Sequence, residues 1–219
     1  VTWTPIDDET SWNVQYRPVV PVAGDRTLEY VFADHSSDIT SDSVMAGFNM
    51  DENIRLKGTK DGGTTNPALS GDKSELRLYY ANNNTHNGNY ITLTPSGNAV
   101  ITGLEVVTSG NSYTPTVNYT VDGGTATAMS RNGTTYTLSG IQAQNGLKIQ
   151  NVNSTNTQLR ITKLTVYYTL SADTSWHELA GGVTSPAATL AGLASNTEYS
   201  VRVRANCGND GASDWVSTD

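Results

Sequence analysis

The chain has little of what most catalytic and metal sites are built from. Its 219 residues include one cysteine and three histidines. No hydrophobic run approaches the roughly 20 residues that a membrane-spanning helix needs. A single cysteine, Cys207, excludes an internal disulfide, so any disulfide partner would lie outside this sequence. The three histidines have neither a Gly-x-Ser-x-Gly setting nor metal-ligand spacing, which disfavours a catalytic triad and a zinc site.

Charged residues are also scarce, at 16%, and hydrophobic residues make up only 36% of the chain. Neutral polar residues replace both, which is typical of small water-exposed β-domains and not of disordered chains. The formal net charge is −8. Such a surface lacks the basic face that phosphate binding needs, so we expect no nucleic acid partner. The lack of a long hydrophobic run leads us to expect no membrane insertion.

Tryptophan is absent from 22–169, and Trp3, Trp12, Trp176 and Trp215 all lie outside that range, as does Cys207. The middle of the chain instead consists of short alternating runs of Thr, Asn, Gly and Tyr. This contrast favours one domain that carries an inserted domain over two domains in tandem, because insertions are tolerated at loop tips. We therefore predict a host domain over 1–21 and 170–219 and an inserted domain over 22–169.

The two end segments carry clear strand patterns. In SWNVQYR, Trp12, Val14 and Tyr16 share one face of a strand, and YSVRVRAN alternates in the same way from Tyr199 to Ala205. Together with VTWTP, SWHEL and AATLAGL, these segments resemble a fibronectin type III domain, of the variety found on secreted and surface proteins of gut-type Bacteroidota.

That resemblance implies an immunoglobulin-like sandwich with Trp3 in its core and a tyrosine corner at Tyr199, following Leu193 and Asn196-Thr197. The first strand of the family fold is missing, so we expect the chain to be cut from a longer protein. We also expect every aromatic residue of the host, including Trp176 and Trp215, to pack in a core. The face with Arg202 and Arg204 is expected to be a solvated sheet surface.

The inserted segment reads as a succession of strands without helical periodicity. Asp122-Gly123-Gly124 and Asn132-Gly133 are hairpin signals. A change of phase predicts a β-bulge near Thr162-Lys163. The pattern predicts an antiparallel sandwich of eight or nine strands, over 28–32, 75–80, 89–94, 99–109, 116–121, 125–130, 135–140, 147–152 and 158–169.

The segments LRLYY, NYITLT, AVITGLEVVTSG and LRITKLTVYYT resemble the galactose-binding-like jelly-roll domains of secreted Bacteroidota proteins. The resemblance implies ligand binding, often of glycans, by loops at one end of the sandwich or by an open sheet face. It also implies an extracellular or cell-surface location in a bacterium. The predicted fold class is therefore all-β: a discontinuous fibronectin type III sandwich with an inserted jelly-roll-like sandwich.

The segment YYANNNTHNGNY, residues 79–90, is the best candidate for ligand binding. Sugars are recognised by flat aromatic faces and by planar amides that both donate and accept hydrogen bonds. The alternative is a polar surface loop, because Asn and Gly are ordinary turn residues. The candidate ligand-binding residues are Arg77, Tyr79, Tyr80, Asn82, Asn84, His86, Asn87, Tyr90 and, in a second loop, Tyr113.

Calcium is the one cofactor that the sequence suggests. Asp34, Asp38 and Asp42 lie in ADHSSDITSDS, and loop carboxylates are the hard oxygen donors that Ca²⁺ prefers. The alternative is a set of solvated loop acids, since no EF-hand spacing exists.

The sequence therefore predicts a non-catalytic extracellular binding or adhesion module of a larger bacterial protein. It would bind carbohydrate, or another host or bacterial surface ligand, through loops of the inserted sandwich, next to neighbouring domains of the same protein. Two alternatives are a structural spacer or stalk of an adhesin or filament, and an accessory domain of a hydrolase whose catalytic part lies outside this chain.

Overall fold

The computed structural model describes residues 1–5, 11–19, 23–81, 84–153, 155–172, 175–179, 182–194, 197–207 and 211–218. Within them the chain forms a short helix, α1 (Ser41–Ala46), and single 3-10 turns at Phe32–His35 and Asn111–Tyr113. None of the described helices is long and apolar enough to cross a membrane. The strands are β1 (Ser11–Pro18), β2 (Gly24–Val31), β3 (Phe48–Asn49), β4 (Ile54–Thr59), β5 (Ala68–Leu69), β6 (Leu76–Leu78), β7 (Tyr90–Pro95), β8 (Ala99–Thr108), β9 (Val117–Val121), β10 (Thr127–Ala128), β11 (Ser130–Asn132), β12 (Thr135–Ala143), β13 (Leu147–Asn151), β14 (Leu159–Leu170), β15 (His177–Glu178), β16 (Tyr199–Asn206) and β17 (Val216–Thr218).

The chain divides into two compact units. Val1–Ala23 and Ser171–Asp219 form one discontinuous unit, and Gly24–Leu170 forms the other. All pairings between the described strands are antiparallel. The predicted all-β class is thus confirmed, while the family assignments of the two units stay predictions.

In the discontinuous unit the sheet order is β15-β1-β16-β17. The predicted alternation holds in β1, where Trp12 and Val14 are buried while Asn13 and Gln15 lie on the opposite face. The Tyr199 hydroxyl accepts a hydrogen bond from the Ala194 backbone N–H at 3.0 Å. This bond ties the strand to the preceding turn, as a tyrosine corner would. Asn196 of the predicted corner lies outside the described residues.

The expected core packing of the host tryptophans is wrong for two of the four. Trp12 is buried, and Trp3 packs against it edge to face with ring centroids 5.7 Å apart. Trp176 and Trp215 are half-buried, as Trp3 is, but they pack against arginine guanidinium groups instead of another core residue. The Arg202/Arg204 face is therefore not simply solvated. Guanidinium groups can stack on an indole face at the protein surface, and the alternating pattern of a strand does not reveal this.

The Gly24–Leu170 unit is a sandwich of two sheets. A six-stranded sheet has the order β10-β9-β13-β7-β4-β3. The opposing seven-stranded sheet has the order β11-β12-β8-β14-β6-β5, and β2 also pairs with β14. The inner faces share one hydrophobic core that includes Ile91, Leu93 and Ile149 from the first sheet and Leu104 and Val166 from the second.

Several details of the predicted strands are confirmed. Asn132 pairs with Thr135 around Gly133, which has a φ of 58°, and Asp122 and Gly123 form a turn with φ values of 50° and 74°. The register of β14 against β8 shifts between Ile161 and Lys163, where the bulge was predicted.

Other details differ from the prediction. Strand β4 lies inside the six-stranded sheet but was not predicted, because only Ile54 and Leu56 mark its buried face before Gly58. The strand predicted over 125–130 is divided at buried Met129: β10 joins one sheet and β11 joins the other. The predicted strand over 75–80 ends at Leu78.

Candidate functional site

The residues of the predicted binding site lie on two different surfaces. Segment 79–90 carries the chain from β6 in the seven-stranded sheet to β7 in the six-stranded sheet. Arg77 therefore lies on the outer face of one sheet, since its neighbours Leu76 and Leu78 are buried. Tyr90 lies on the outer face of the other, because Ile91 after it is buried. The sandwich core separates the two faces, so the candidates do not form one continuous surface.

Tyr90 belongs to an ordered array of polar residues on the outer face of the six-stranded sheet. The strand registers place Asn118, Gln150, Tyr90 and Thr59 in one row across β9, β13, β7 and β4. The next row holds Thr120, Lys148, Thr92 and Lys57 in the same strands. Three inter-strand spacings make each row about 14 Å wide. The rows supply an aromatic ring, two amides and several hydroxyl and amino groups on a rigid sheet.

An open groove of about 260 Å³ lies over this array. We call it the Tyr90 groove, and it is lined by Tyr90, Thr92, Thr120, Asp122, Gly123, Asn145, Gly146 and Lys148. The Lys148 ammonium lies 4.2 Å from the centroid of the Tyr90 ring. The turns after β9 and β12 form one wall. The groove thus combines a sheet floor with loop sides.

Asp122 holds the two turns of that wall together. Its carboxylate accepts hydrogen bonds from the backbone N–H groups of Gln144 (3.0 Å), Asn145 (2.7 Å) and Gly146 (2.9 Å). Partial desolvation opposes ionisation of this exposed carboxylate, but the three donors outweigh it and lower the pKa of Asp122 below its ordinary 3.8. The wall of the groove is therefore built around a carboxylate that stays ionised.

We expect the Asp122→Asn variant to show this as a pH-dependent loss of stability. A lowered pKa in the folded state stabilises the fold above the unfolded-state value of about 3.8, and this contribution is lost as the pH falls through the lowered value. The difference in melting temperature between wild type and Asp122→Asn should be largest near pH 7 and should shrink below pH 4. Asp25→Asn, which makes the same charge change at an exposed residue, is the control. A difference that grew on acidification would contradict this role.

Asn87 contributes to the other end of the array through Asp61. The Asn87 amide donates to Asp61 Oδ1 at 2.7 Å, and the Gln150 amide donates to Asp61 Oδ2 at 2.9 Å. Gln150 also donates to the Gly88 carbonyl at 2.9 Å. Asn87 is thus a supporting residue for Gln150, which lies beside Tyr90 in the row.

Two buried asparagines, one of them inside this segment, bind backbone groups of the chain around it. Asn89 is fully buried: its Oδ1 accepts from the Tyr79 N–H at 2.8 Å, and its Nδ2 donates to the carbonyls of Lys60 and Thr65 at 2.8 and 2.9 Å. Asn151, also fully buried, donates to the carbonyls of Leu78 and Thr157. Both side chains therefore hold the crossing between the sheets.

The remaining candidates of segment 79–90 are spread over its length. Tyr79 and Tyr80 are half-buried, whereas Asn84 and His86 are exposed. His86 has a φ of 51°. Asn82 lies outside the described residues. A binding role for these residues stays a prediction.

Arg77 and Tyr113 meet on the outer face of the seven-stranded sheet through a residue that the sequence analysis missed. Arg160 stands opposite Arg77 in the strand register, and its guanidinium lies 3.8 Å from the centroid of the Tyr113 ring. Glu75 lies between the two arginines, with Oε2 3.3 Å from Arg77 Nε and 3.8 Å from Arg160 Nη1. This second cluster carries its own counter-charge.

The residues around Tyr90 that the sequence analysis did not identify left only a weak signal in the sequence. Lys148 and Gln150 alternate with buried Leu147 and Ile149, which marks an outer face without showing what lies beside it. Asp122 appeared only as a turn residue. Their approach to Tyr90 depends on strand order, which the sequence did not determine.

The predicted calcium ligands are dispersed. Asp34 lies in the 3-10 turn, and Asp42 lies in the first turn of α1. Asp38 accepts a hydrogen bond from the Ser37 hydroxyl at 2.7 Å, which is the main cause of its lowered pKa. In the described part of the chain, no three His, Cys, Asp or Glu side chains are grouped so that they could hold a metal ion. Calcium binding stays a prediction.

No protein-family model and no curated protein matches this chain. Among solved structures it is similar to the family 32 carbohydrate-binding module of C. perfringens NanJ, which was solved in complex with galactose. The similarity covers 64% of this chain and 98% of that one, at 13% sequence identity and a TM-score of 0.35. A likeness this distant supports neither a ligand nor a residue role, and both must come from the geometry of the groove.

Proposed function

We propose that the Gly24–Leu170 unit is a non-catalytic carbohydrate-binding module whose ligand lies in the Tyr90 groove. The observation that supports this most is the position of the half-buried Tyr90 ring within the polar array on the sheet face. A sugar has apolar C–H faces that pack on an aromatic ring. Its hydroxyls both donate and accept hydrogen bonds, as amides and hydroxyls of the protein do.

The groove provides both kinds of contact side by side. Tyr90 offers the ring, Gln150 stands opposite it in β13, and Thr92 is the next residue on the same face of β7. The Lys148 ammonium now covers the ring, an interaction of about 0.5–1 kcal/mol at an exposed site. Because a lysine stem is flexible, Lys148 can turn its ammonium group to a sugar oxygen while the sugar packs on the ring.

The carboxylate content of the groove favours a site that binds a carbohydrate without hydrolysing it. Glycoside hydrolysis commonly uses two carboxyl groups, one of which must carry a proton. Among the described residues that line the groove, Asp122 is the one carboxylate, and three backbone N–H groups hold it as an anion. It is suited to fixing the wall and unsuited to giving up a proton.

The wider setting is proposed from the sequence alone. The fibronectin type III resemblance of 1–21 and 170–219 and the jelly-roll resemblance of 22–169 support a role outside the cell, in a larger bacterial surface or secreted protein. There the module would hold its neighbouring domains against a carbohydrate surface.

The experiment is affinity electrophoresis of the whole chain through gels that contain plant, mucin or bacterial polysaccharides. At least one polysaccharide should retard the wild type, and Tyr90→Ala should lower the affinity by about tenfold or more, which equals about 1.4 kcal/mol. Tyr113→Ala is a matched control, because this tyrosine also stacks with a cation but lies on the opposite face.

Each outcome bears on a different part of the proposal. Loss of retardation in Tyr113→Ala with Tyr90→Ala unaffected would place the ligand on the other face and contradict the Tyr90 groove. Wild-type protein that is folded, as judged by circular dichroism, but retarded by no polysaccharide would contradict the carbohydrate function and favour a structural spacer.

A further inference from the structure

Three asparagine–glycine pairs occur in the chain, and the fold places them in three different settings. They are Asn87-Gly88, Asn132-Gly133 and Asn145-Gly146. Asparagine is a chemically labile residue, and a glycine after it, which has no side chain, leaves its own backbone nitrogen open to approach. That nitrogen is a nucleophile that can attack the side-chain carbonyl carbon of the asparagine. The reactivity of each pair therefore depends on how firmly the fold holds the nitrogen and the side-chain amide.

In the Asn145-Gly146 pair the fold holds the nucleophile. The Gly146 N–H donates to Asp122 Oδ1 at 2.9 Å, and the Asn145 N–H donates to the same oxygen at 2.7 Å. The Gly146 carbonyl in turn accepts from the Asp122 N–H at 2.9 Å. The Gly146 nitrogen cannot turn toward the Asn145 side chain unless its bond to the carboxylate breaks. Asn145 is exposed, so its protection depends on these bonds and not on burial.

In the Asn87-Gly88 pair the fold holds the side-chain amide. Asn87 Nδ2 donates to Asp61 Oδ1 at 2.7 Å, and Asn87 Oδ1 accepts from the Thr85 hydroxyl. The backbone is also fixed, because Gly88 is buried and a Cβ there would lie 2.5 Å from the Asn151 carbonyl oxygen. The carbonyl carbon of the Asn87 side chain therefore cannot swing toward the Gly88 nitrogen.

The Asn132-Gly133 pair has neither restraint. It lies at the hairpin between β11 and β12, where Asn132 pairs with Thr135, and both residues of the pair are exposed. In the described part of the chain, neither the Asn132 side chain nor the Gly133 N–H is hydrogen-bonded, and the turn is held through the Gly133 carbonyl, which accepts from Arg131 Nη1 at 2.6 Å. Strand β11 is a three-residue edge strand whose residues are all exposed, so it can open locally at little cost.

We propose that Asn132 is the site at which the folded chain deamidates, while hydrogen bonds to Asp122 and Asp61 protect the other two pairs. The Gly133 nitrogen gives its proton to water or a buffer base and bonds to Asn132 Cγ, the Cγ–Nδ2 bond breaks, and ammonia leaves. Water then opens the cyclic imide at one of its two carbonyls, which gives aspartate or isoaspartate. The net reaction consumes water, releases ammonia and exchanges an amide for a carboxylate.

The modification changes the edge of the seven-stranded sheet. Isoaspartate adds a backbone carbon atom between Asn132 and Gly133, which shifts the register on which the pairing of Asn132 with Thr135 depends. Strand β11 should therefore separate from β12 in the isoaspartate form. The Tyr90 groove should keep its wall, because Asn145-Gly146 is the protected pair. The inference does not depend on the proposed carbohydrate function.

The test is peptide mapping by mass spectrometry of the whole chain after incubation in mildly alkaline buffer. The peptide with Asn132 should gain the mass of an amide-to-carboxylate exchange and should separate by chromatography into aspartate and isoaspartate forms. The peptides with Asn87 and Asn145 should convert at least about tenfold more slowly. In concentrated urea the three pairs should convert at similar rates, because the fold no longer distinguishes them. Asn87 or Asn145 converting as fast as Asn132 in the folded chain would overturn the proposal, and so would an intact Asn132 peptide when the chain in urea has converted.

The Asp122→Ala variant tests the protection directly. It should raise the conversion rate of Asn145 at least about tenfold and leave that of Asn132 unchanged. Alanine is chosen because asparagine at position 122 would create a further Asn-Gly pair with Gly123. Asp25→Ala, which removes an exposed carboxylate, is the control and should change neither rate. If Asn145 stays intact in Asp122→Ala protein that circular dichroism shows to be folded, the protective role of Asp122 is wrong. The comparison within the wild type decides the proposal even if this variant does not fold.

Discussion

Replacing Gly88 by alanine is expected to destabilise the Gly24–Leu170 unit by about 3 kcal/mol or more, because a side chain has no space there. A Cβ on Gly88 would lie 2.5 Å from the Asn151 carbonyl oxygen and 2.6 Å from the Tyr79 carbonyl oxygen. Both obstacles are backbone atoms, so a rotamer change cannot relieve the clash. Gly88 lies just before β7 and supports Gln150, so the loss should also disturb the Tyr90 groove.

Tryptophan fluorescence reports on the discontinuous unit alone, because all four tryptophans belong to it. In urea, the far-ultraviolet circular dichroism of Gly88→Ala should show its sheet unfolding early, while tryptophan fluorescence changes later. Gly71→Ala is the matched control, since nothing lies within 4 Å of the added Cβ. It should stay within about 0.5 kcal/mol of wild type. Equal stability of the two variants would show that the strand crossing is not packed as described.

Replacing Asn89 is expected to cost about 3 kcal/mol, since its fully buried amide makes three hydrogen bonds to backbone groups, each worth roughly 0.5–1.5 kcal/mol. Asn89→Asp is the sharper variant, because it keeps the shape and the acceptor for the Tyr79 N–H. It places an oxygen against the carbonyls of Lys60 and Thr65, where the native amide donates. We therefore expect Asn89→Asp to be at least as destabilised as Asn89→Ala.

Asn84→Ala gives the reference value for the same segment. Asn84 is exposed, and its truncation should change the free energy of unfolding by no more than about 0.5 kcal/mol. Urea midpoints of the three variants, measured by circular dichroism, decide the matter. If Asn89→Asp unfolded at the wild-type midpoint, the buried amide would not be what holds the crossing together.

For this chain, the sequence predicts where strands and turns lie better than it predicts which strands are neighbours in a sheet. Alternation located most strands and the bulge after Ile161, and the Asn132-Gly133 turn signal located the hairpin, because these features depend on residues adjacent in the chain. It missed β4, whose buried face shows only two large apolar side chains. It also could not show that 125–130 divides between two sheets, since that depends on where Met129 meets the core.

The site illustrates the same limit. Segment 79–90 is rich in polar and aromatic residues, which suggested a single binding loop. In the fold it is a crossing between sheets, so Asn89 is buried while Tyr90 faces outward. Lys148, Gln150 and Asp122 reach the Tyr90 region from strands and turns far along the chain. Composition located one residue of the groove, and strand register supplied the rest.

The measurement that tests the central claim most directly is a two-dimensional ¹H–¹⁵N NMR titration of the whole chain. The probe is an oligosaccharide released from the polysaccharide that retards the chain most. We expect amide shifts in β7, β9 and β13 and in the turns at 122–124 and 144–146, with little change near Arg77, Tyr113 and Arg160. Shifts confined to the Arg77–Tyr113 face, or no shifts at saturating oligosaccharide, would contradict a ligand site in the Tyr90 groove.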